Sequence, residues 1–228
     1  MAERTQSRGE CSYCGAVIAR GGARRHLDGC AKRLAGIEHA EASGRPRETL
    51  LHLRVADQYS SSFWLDLEMR GTASLQTLDT YLRAIWLECC GHLSRFSTGQ
   101  WGDTDISMRR KAADVFTPGV TLTHEYDFGT TSYTLVKRVA TRVGVPLTAR
   151  PMTLMMRNRV PEAACAKCGE PATHLCMGCL HETEGPATLC AAHAKKHRHD
   201  DWDRPAPLVN SPRLGVCGYD GPADEPYP

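Results

Sequence analysis

Residues 74–93 read SLQTLDTYLRAIWLECCGHL. Leu75, Leu78, Leu82, Ile85, Trp86, Cys89 and Leu93 recur at spacings of three and four, which puts them on one stripe of a helix. Ser74 precedes the first apolar residue and is suited to cap the helix by accepting a backbone N–H. Asp79, Arg83 and Glu88 fall off the stripe and are expected to face water. The stripe needs a surface to bury itself against, and the sequence on either side supplies one. LLHLRVA (50–56) and SFWLDLEM (62–69) alternate at period two, as the strands of a hairpin do. SRFSTGQW (94–101) is a further strand candidate, and residues 102–119 are polar and loop-like. TLTHEYDF (121–128) and SYTLVKRVATRV (132–143) flank a turn containing Gly129, and TARPMTLMMRN (148–158) reads as a last strand. Strands, one long helix, then more strands predict an α+β domain over residues 48–160, with the helix packed on an antiparallel or mixed sheet.

The chain of 228 residues is 41% hydrophobic and 24% charged, which allows one or two folded domains plus small modules. A formal charge of +2 conceals an asymmetry. Residues 1–47 carry nine Lys and Arg against five acidic residues, while residues 161–228 carry six against ten. A basic head is compatible with nucleic acid. MAERTQSRGE has no apolar leader, and no run approaches the ~20 apolar residues of a membrane helix. A reduced, cytoplasmic setting is expected, and eleven cysteines in such a setting point to metal rather than to disulfides.

Those cysteines concentrate in CAKCGEPATHLCMGCLHETEGPATLCAAHAKKHRH, residues 165–199. Cys165 and Cys168, then Cys176 and Cys179, form two Cys-x-x-Cys pairs. Cys190 and His193 follow as Cys-x-x-His, and His197 and His199 close the series. A tetrahedral zinc ion takes four thiolate or imidazole ligands, and a two-residue gap lets both members of a pair turn toward one ion. Four pairs make two filled sites, structural rather than catalytic because no position stays open for water. Their alternation suggests a cross-brace, with Cys165, Cys168, Cys190 and His193 on one ion and the other four on the second. A sequential arrangement, with all four Cys-x-x-Cys thiolates on one ion, is the alternative. The segment has few large apolar residues, so zinc binding, ~10–16 kcal/mol per structural site, would replace a core. In ligand order the segment resembles the B-box, one of the small cross-brace zinc modules, and that resemblance implies a protein-interaction surface.

At the other end, CSYCGAVIARGGARRHLDGC (11–30) pairs Cys11 and Cys14 with His26 and Cys30. Positions four apart share a helix face, so the last two can complete a site begun by the knuckle. The segment resembles the CCHC-type variant of the ββα zinc finger. That brings the expected zinc count to about three. Arg20, Arg24, Arg25, Lys32 and Arg33 surround the helix and are candidates for phosphate contacts in DNA or RNA; a solvated helix or a protein contact explains them equally well. Residues 35–48 look like a helix end and a linker.

The central domain offers less chemistry. Asp127-Phe128-Gly129 is explained by a tight turn, since no glycine-rich loop or strand lysine accompanies it. Cys89 and Cys90 are neighbours on the expected helix and would point about 100° apart, which argues against joint chelation. Nothing in the spacing of His92, Asp103, Asp105, His124, Glu125 and Asp127 demands a metal-dependent active site. The order of phrases in residues 48–160 does resemble the plasmid pRiA4b ORF-3-like family. The features shared are the two-strand start, the helix with Leu75, Leu78, His92 and Leu93, and Tyr126-Asp127-Phe128-Gly129. This resemblance implies an architecture and an association with mobile DNA, not a reaction. The tail, 200–228, is expected to be an extended strap that packs back on the zinc module or the sheet, with its last seven residues disordered. Cys217 in that strap is an alternative ligand for the second zinc.

The sequence therefore predicts three parts: a finger and linker (1–47), an α+β domain (48–160) and a double-zinc module with its tail (161–228). The expected function is binding without catalysis. Nucleic acid is the leading partner, a protein partner the second, and a metal-dependent enzyme in the central domain the third.

Overall fold

The computed structural model describes residues 7–98, 104–182, 187–198, 204–219, 221–223, 225 and 227. The chain begins with β1 (Arg8–Cys11), β2 (Val17–Ala19), α1 (Ala23–Gly29) and α2 (Ala31–Glu41). The central part follows with β3 (Glu48–Asp57), β4 (Trp64–Arg70), α3 (Leu75–Leu82), β5 (Ser94–Ser97), β6 (Asp105–Ile106), α4 (Ala112–Val115), β7 (Thr121–Tyr126), β8 (Ser132–Gly144) and β9 (Met152–Asn158). The carboxyl-terminal part adds β10 (His174–Leu175), α5 (Met177–Glu182), β11 (Thr188–Leu189), α6 (Ala191–Lys196) and β12 (Ala206–Pro207).

This is an α+β fold on a nine-stranded sheet of order β2-β1-β9-β4-β3-β8-β7-β5-β6, and every pairing in it is antiparallel. A separate three-stranded sheet, β11-β10-β12, belongs to the carboxyl-terminal module. The amino-terminal hairpin is built onto the large sheet: β1 pairs with β9, Gly9 opposite Asn158 and Cys11 opposite Met156.

One face of the sheet carries the apolar residues the alternation predicts. Leu51, Leu53, Val55, Leu65, Leu67 and Met69 pack against Leu75, Leu78, Leu82, Ile85 and Trp86 of the helix. Ser74 caps α3, its side chain accepting the Thr77 N–H. The other face is covered as well. His52, Asp66 and Glu68 are buried there, beneath the amino-terminal module, whose Leu27 packs with Trp64, Met155 and Met156. Arg33 of α2 reaches Glu68 at 3.4 Å and donates to the Leu27 carbonyl, while Arg54 of β3 donates to the Arg20 carbonyl. A sheet with both faces covered has to satisfy its polar residues internally.

The helix departs from its expected course in two ways. After Leu82 it widens into a π turn, Arg83–Leu87, and it ends with the Glu88 N–H donating to the Arg83 carbonyl. Residues 88–93 are therefore loop, and Leu93 is 74% exposed rather than on the stripe. Asp79 does not face water. It is buried against His124 at 2.8 Å and accepts from the Ser94 hydroxyl at 2.6 Å. Part of the expected loop 102–119 also forms elements, β6 and α4. The carboxyl end of the strand candidate 94–101 lies outside the described residues.

The tail is a strap that touches both neighbours. β12 pairs with β10, after which Asn210 donates to the Asn158 carbonyl and Ser211 to that of Trp86. The Ala223 N–H donates to the Ala84 carbonyl, and Tyr227 packs edge-on against Tyr81 at 5.7 Å. Tyr227 is buried, so the expectation of disorder fails at that residue, because Arg150 and Arg157 bind its carbonyl and hydroxyl.

Candidate metal centres

Cys11 ends β1 and Cys14 follows the turn into β2, with the Gly15 N–H donating back to the Cys11 carbonyl. His26 lies on α1. Cys30 stands between the two helices in an extended conformation (φ −68°, ψ 110°), so it is not one turn further along a single helix as the spacing suggested. The break nonetheless brings it back, and the ligand atoms of Cys11, Cys14, His26 and Cys30 all lie within 4.8 Å of one another. Cys14 Sγ is 3.5 Å from His26 Nε2. Cys11 and Cys30 are buried, and burial pushes the Cys11 thiol up to about 11.

In the carboxyl-terminal module the groups form across the sequence rather than along it. Cys165, Cys168, Cys190 and His193 make one set, with Cys190 Sγ 3.3 Å and Cys165 Sγ 3.5 Å from His193 Nδ1. Cys176, Cys179 and His197 make the other, with His197 Nε2 at 3.1 Å from Cys176 Sγ and 3.4 Å from Cys179 Sγ. His199 lies outside the described residues. The small sheet explains the crossing. β10 sits between the first two pairs and β11 leads into Cys190, so antiparallel pairing of β10 with β11 lays Cys190 beside the first pair. His197, just past α6, is then carried to the second. Burial raises the Cys165 thiol, but backbone N–H groups of Cys190, Lys167 and Cys168 directed at its sulfur outweigh this and bring it down to about 6. That is how a knuckle prepares a thiolate for a cation.

These donor sets fit a metal. All eleven cysteines are free thiols, and the thiols and imidazoles of each set stand at the mutual spacing of tetrahedral ligands instead of being paired as disulfides. Sulfur with imidazole nitrogen suits a soft or borderline divalent ion.

A fourth group has no Cys-x-x-Cys signature. Cys89, Cys90 and His92 of the loop after the helix meet Cys217 of the strap. The helical argument against Cys89 and Cys90 chelating together lapses, because the helix stops before them. The sequence signal was present as Cys89-x-x-His92, the spacing of Cys190 and His193. Cys217 joins this loop, not the Cys176 set.

Among the described residues, the carboxylate and histidine candidates of the central domain do not gather into one site, although His92 and Asp127 stand 3.6 Å apart. His124 is held by Asp79, Glu125 and Asp105 by Arg95, and Asp127 by Arg213 at 2.5 Å. Asp127, with φ 66°, forms the turn expected of it, accepting from the Gly129 and Thr130 N–H groups. Asp103 lies outside the described residues.

Of the basic residues around the finger, Arg24, Arg25 and Lys32 are exposed, and Arg24 is 3.7 Å from Asp28. Arg20 is half-buried and donates to the Ser61 carbonyl. Arg33 is buried on Glu68, which removes it from any outside partner. No helix among the described residues is long and apolar enough to cross a membrane.

No protein-family model matches the chain. A protein of Anaeromyxobacter dehalogenans named "Putative 3-methyladenine DNA glycosylase" is 40% identical over 76 residues, covering 27% of this chain and 34% of that protein. The chain thus matches about a third of the length of this curated relative. A crystal structure of a protein of unknown function from Methanosarcina mazei Go1 superposes on 54% of this chain and 75% of its own with a TM-score of 0.41 at 19% identity, and nothing is carried over from it.

Proposed function

We propose that this chain is a zinc-binding, non-enzymatic protein that associates with nucleic acid through its amino-terminal module. The observation that carries the reading is the exposed set Arg24, Arg25 and Lys32 on two short helices pinned by Cys11, Cys14, His26 and Cys30. Three cations fixed to a rigid scaffold suit phosphates at defined spacing. The name of the Anaeromyxobacter relative, a protein of DNA chemistry, favours DNA over RNA. Zinc is the ion that four thiolate and imidazole ligands select in a reduced protein, at about three per chain for the sites that ligand spacing predicts. The central domain's order of strands, helix and Asp127 turn supports its resemblance to the plasmid pRiA4b ORF-3-like family.

The test is a titration of labelled single- and double-stranded DNA and RNA at several salt concentrations. The expected outcome is binding whose logarithm falls linearly with the logarithm of salt, and a slope reduced by about 1 for each of Arg24→Ala, Arg25→Ala and Lys32→Ala that touches a phosphate. Arg33→Lys should leave the slope unchanged, since Arg33 is committed to Glu68. No binding at low salt would overturn the reading. A protein-adaptor role for the carboxyl-terminal module would then come forward, favoured by Leu180, 46% exposed on α5 beside Cys179.

A further inference from the structure

The proposed function makes no use of the fourth group. Its members come from two distant places: Cys89, Cys90 and His92 from the loop after the helix, and Cys217 from the strap, 127 residues beyond Cys90. Cys89 Sγ is 3.7 Å from Cys90 Sγ, and Cys217 Sγ is 3.4 Å from Cys90 Sγ and 3.3 Å from His92 Nε2. Cys90 Sγ is 2.9 Å from the same nitrogen. Ligands at ~2.3 Å (sulfur) and ~2.0–2.1 Å (nitrogen) from a tetrahedral ion stand roughly 3.5–3.8 Å apart, so the Cys89–Cys90 pair already fits, the two contacts of Cys217 have to open by a few tenths of an ångström, and the Cys90–His92 contact has to open most. A disulfide needs ~2.05 Å, well short of these sulfur separations.

Backbone shape gives a second, independent observation. In the two groups that contain a cysteine-glycine step, Cys14 is followed by Gly15 at φ 74° and Cys168 by Gly169 at φ 77°. The fourth group repeats that step twice, with Gly91 at φ 76° after Cys90 and Gly218 at φ 70° after Cys217. The left-handed glycine turns the chain away directly behind the sulfur, which leaves the ligand side open. The loop is also fixed from beneath. Glu88 accepts from the Gly91 N–H at 2.5 Å, from Tyr126 at 3.0 Å and from Arg83 at 2.6 Å.

The strap side is fixed as firmly. Arg213 is fully buried and donates to Asp127, to the Thr130 carbonyl, to Ser132 and to Cys89 Sγ at 3.4 Å. A guanidinium donating to sulfur favours the thiolate, the form that binds a metal. Three thiolates and a neutral imidazole around a divalent ion leave one negative charge, which Arg213 faces. Asp127, 3.6 Å from His92 Nε2, shares the same guanidinium, so Arg213 faces two negative groups at once.

We propose that Cys89, Cys90, His92 and Cys217 bind a further divalent ion, zinc by its ligand chemistry, which clasps the strap to the end of the central helix. Cys90 and Cys217 are exposed and no ligand of this set is buried, whereas each of the other sets holds at least one buried cysteine, so this site is the more open to chelators and to incoming metal.

The experiment uses the full chain purified under reducing conditions, with metal counted by native mass spectrometry and thiols mapped by alkylation. The expected result is one ion fewer in Cys217→Ala than in wild type, and the ion kept in Cys217→His, which restores a ligand. Wild-type Cys90 and Cys217 should resist alkylation until a chelator is added, then react together. Unfolding of Cys217→Ala would leave that second measurement decisive. Equal metal counts in wild type and Cys217→Ala would overturn the proposal. So would immediate alkylation of Cys90 and Cys217, or a disulfide between them in the reduced preparation.

Discussion

Asp66 lies at the centre of the sheet with none of its surface exposed, between His52 Nε2 at 2.8 Å and the Arg54 guanidinium, which it meets at 3.0 and 2.6 Å. Burial raises its carboxyl, but the hydrogen bonds from His52 and Arg54 outweigh burial and hold it below its ordinary range. A carboxyl depressed in the folded state contributes stability that is fully present above the unfolded value of ~3.9 and is lost as pH falls through the lower folded value. Asp66→Asn keeps the shape and removes the charge. Urea unfolding near neutral pH should show it about 1.5–3 kcal/mol less stable than wild type. That gap should narrow below pH ~4, as the wild type takes up the proton the variant has no use for. A gap that stays constant down to the acid limit would mean that the charge of Asp66 is not what the site uses. Sequence patterning marks Asp66 only as the polar phase of an alternating strand, and solvent is the ordinary expectation for such a residue. Arg54 and His52 are visible in the neighbouring strand, but their register against Asp66 depends on the hairpin closing as it does.

The element that joins the amino-terminal module to the rest is β1. Gly9 sits opposite Asn158, and a Cβ there would come within 2.6 Å of the Trp64 ring and 2.7 Å of the Arg157 carbonyl. The carbonyl is backbone and cannot swing aside, so Gly9→Ala has to push β1 off β9. Overpacking of this kind costs about 1–3 kcal/mol. The expected outcome is a lower melting temperature, together with faster amide exchange in residues 8–11. An unshifted melting temperature would show that β1 is held through Cys11 and its candidate ligand set and not by the sheet. The ligand spacing Cys11, Cys14, His26 and Cys30 was legible because knuckle geometry is local. The docking of that knuckle on Trp64 was not, since Cys11 and Trp64 are far apart along the chain. The π turn at Arg83–Leu87 belongs to the same class: an apolar stripe at spacing three and four continues past it, and only the fit of the last turn onto the sheet ends the helix early.

Across the whole molecule, the strap ties together parts that sequence order keeps apart. It pairs with β10, runs past Asn158 and Trp86, and ends with Tyr227 against Tyr81. An edge-on aromatic pair contributes about 0.5–1.5 kcal/mol beyond its buried area. Removing residues 221–228 should therefore lower the stability of the central domain by about 2–3 kcal/mol, with no effect on the metal count. Chemical denaturation of the truncated chain, followed through the tryptophans, checks this. An unchanged midpoint would mean that the tail lies on the domain without supporting it.

The sequence by itself determined what depends on neighbours along the chain. The period-two strands, the apolar stripe of α3, the cap at Ser74, the turn at Asp127 and the pairing of Cys165 with Cys168 all rest on spacings of a few residues, and local geometry fixes those. Only the tertiary structure decided which ligand pairs share a site, that the charged face of the sheet is roofed by the amino-terminal module, and that Cys217 meets Cys89, Cys90 and His92. These are choices between partners far apart in sequence. They follow from sheet pairing and burial, because a thiol or a carboxylate carries no mark of its partner until the fold has brought the two within a few ångströms.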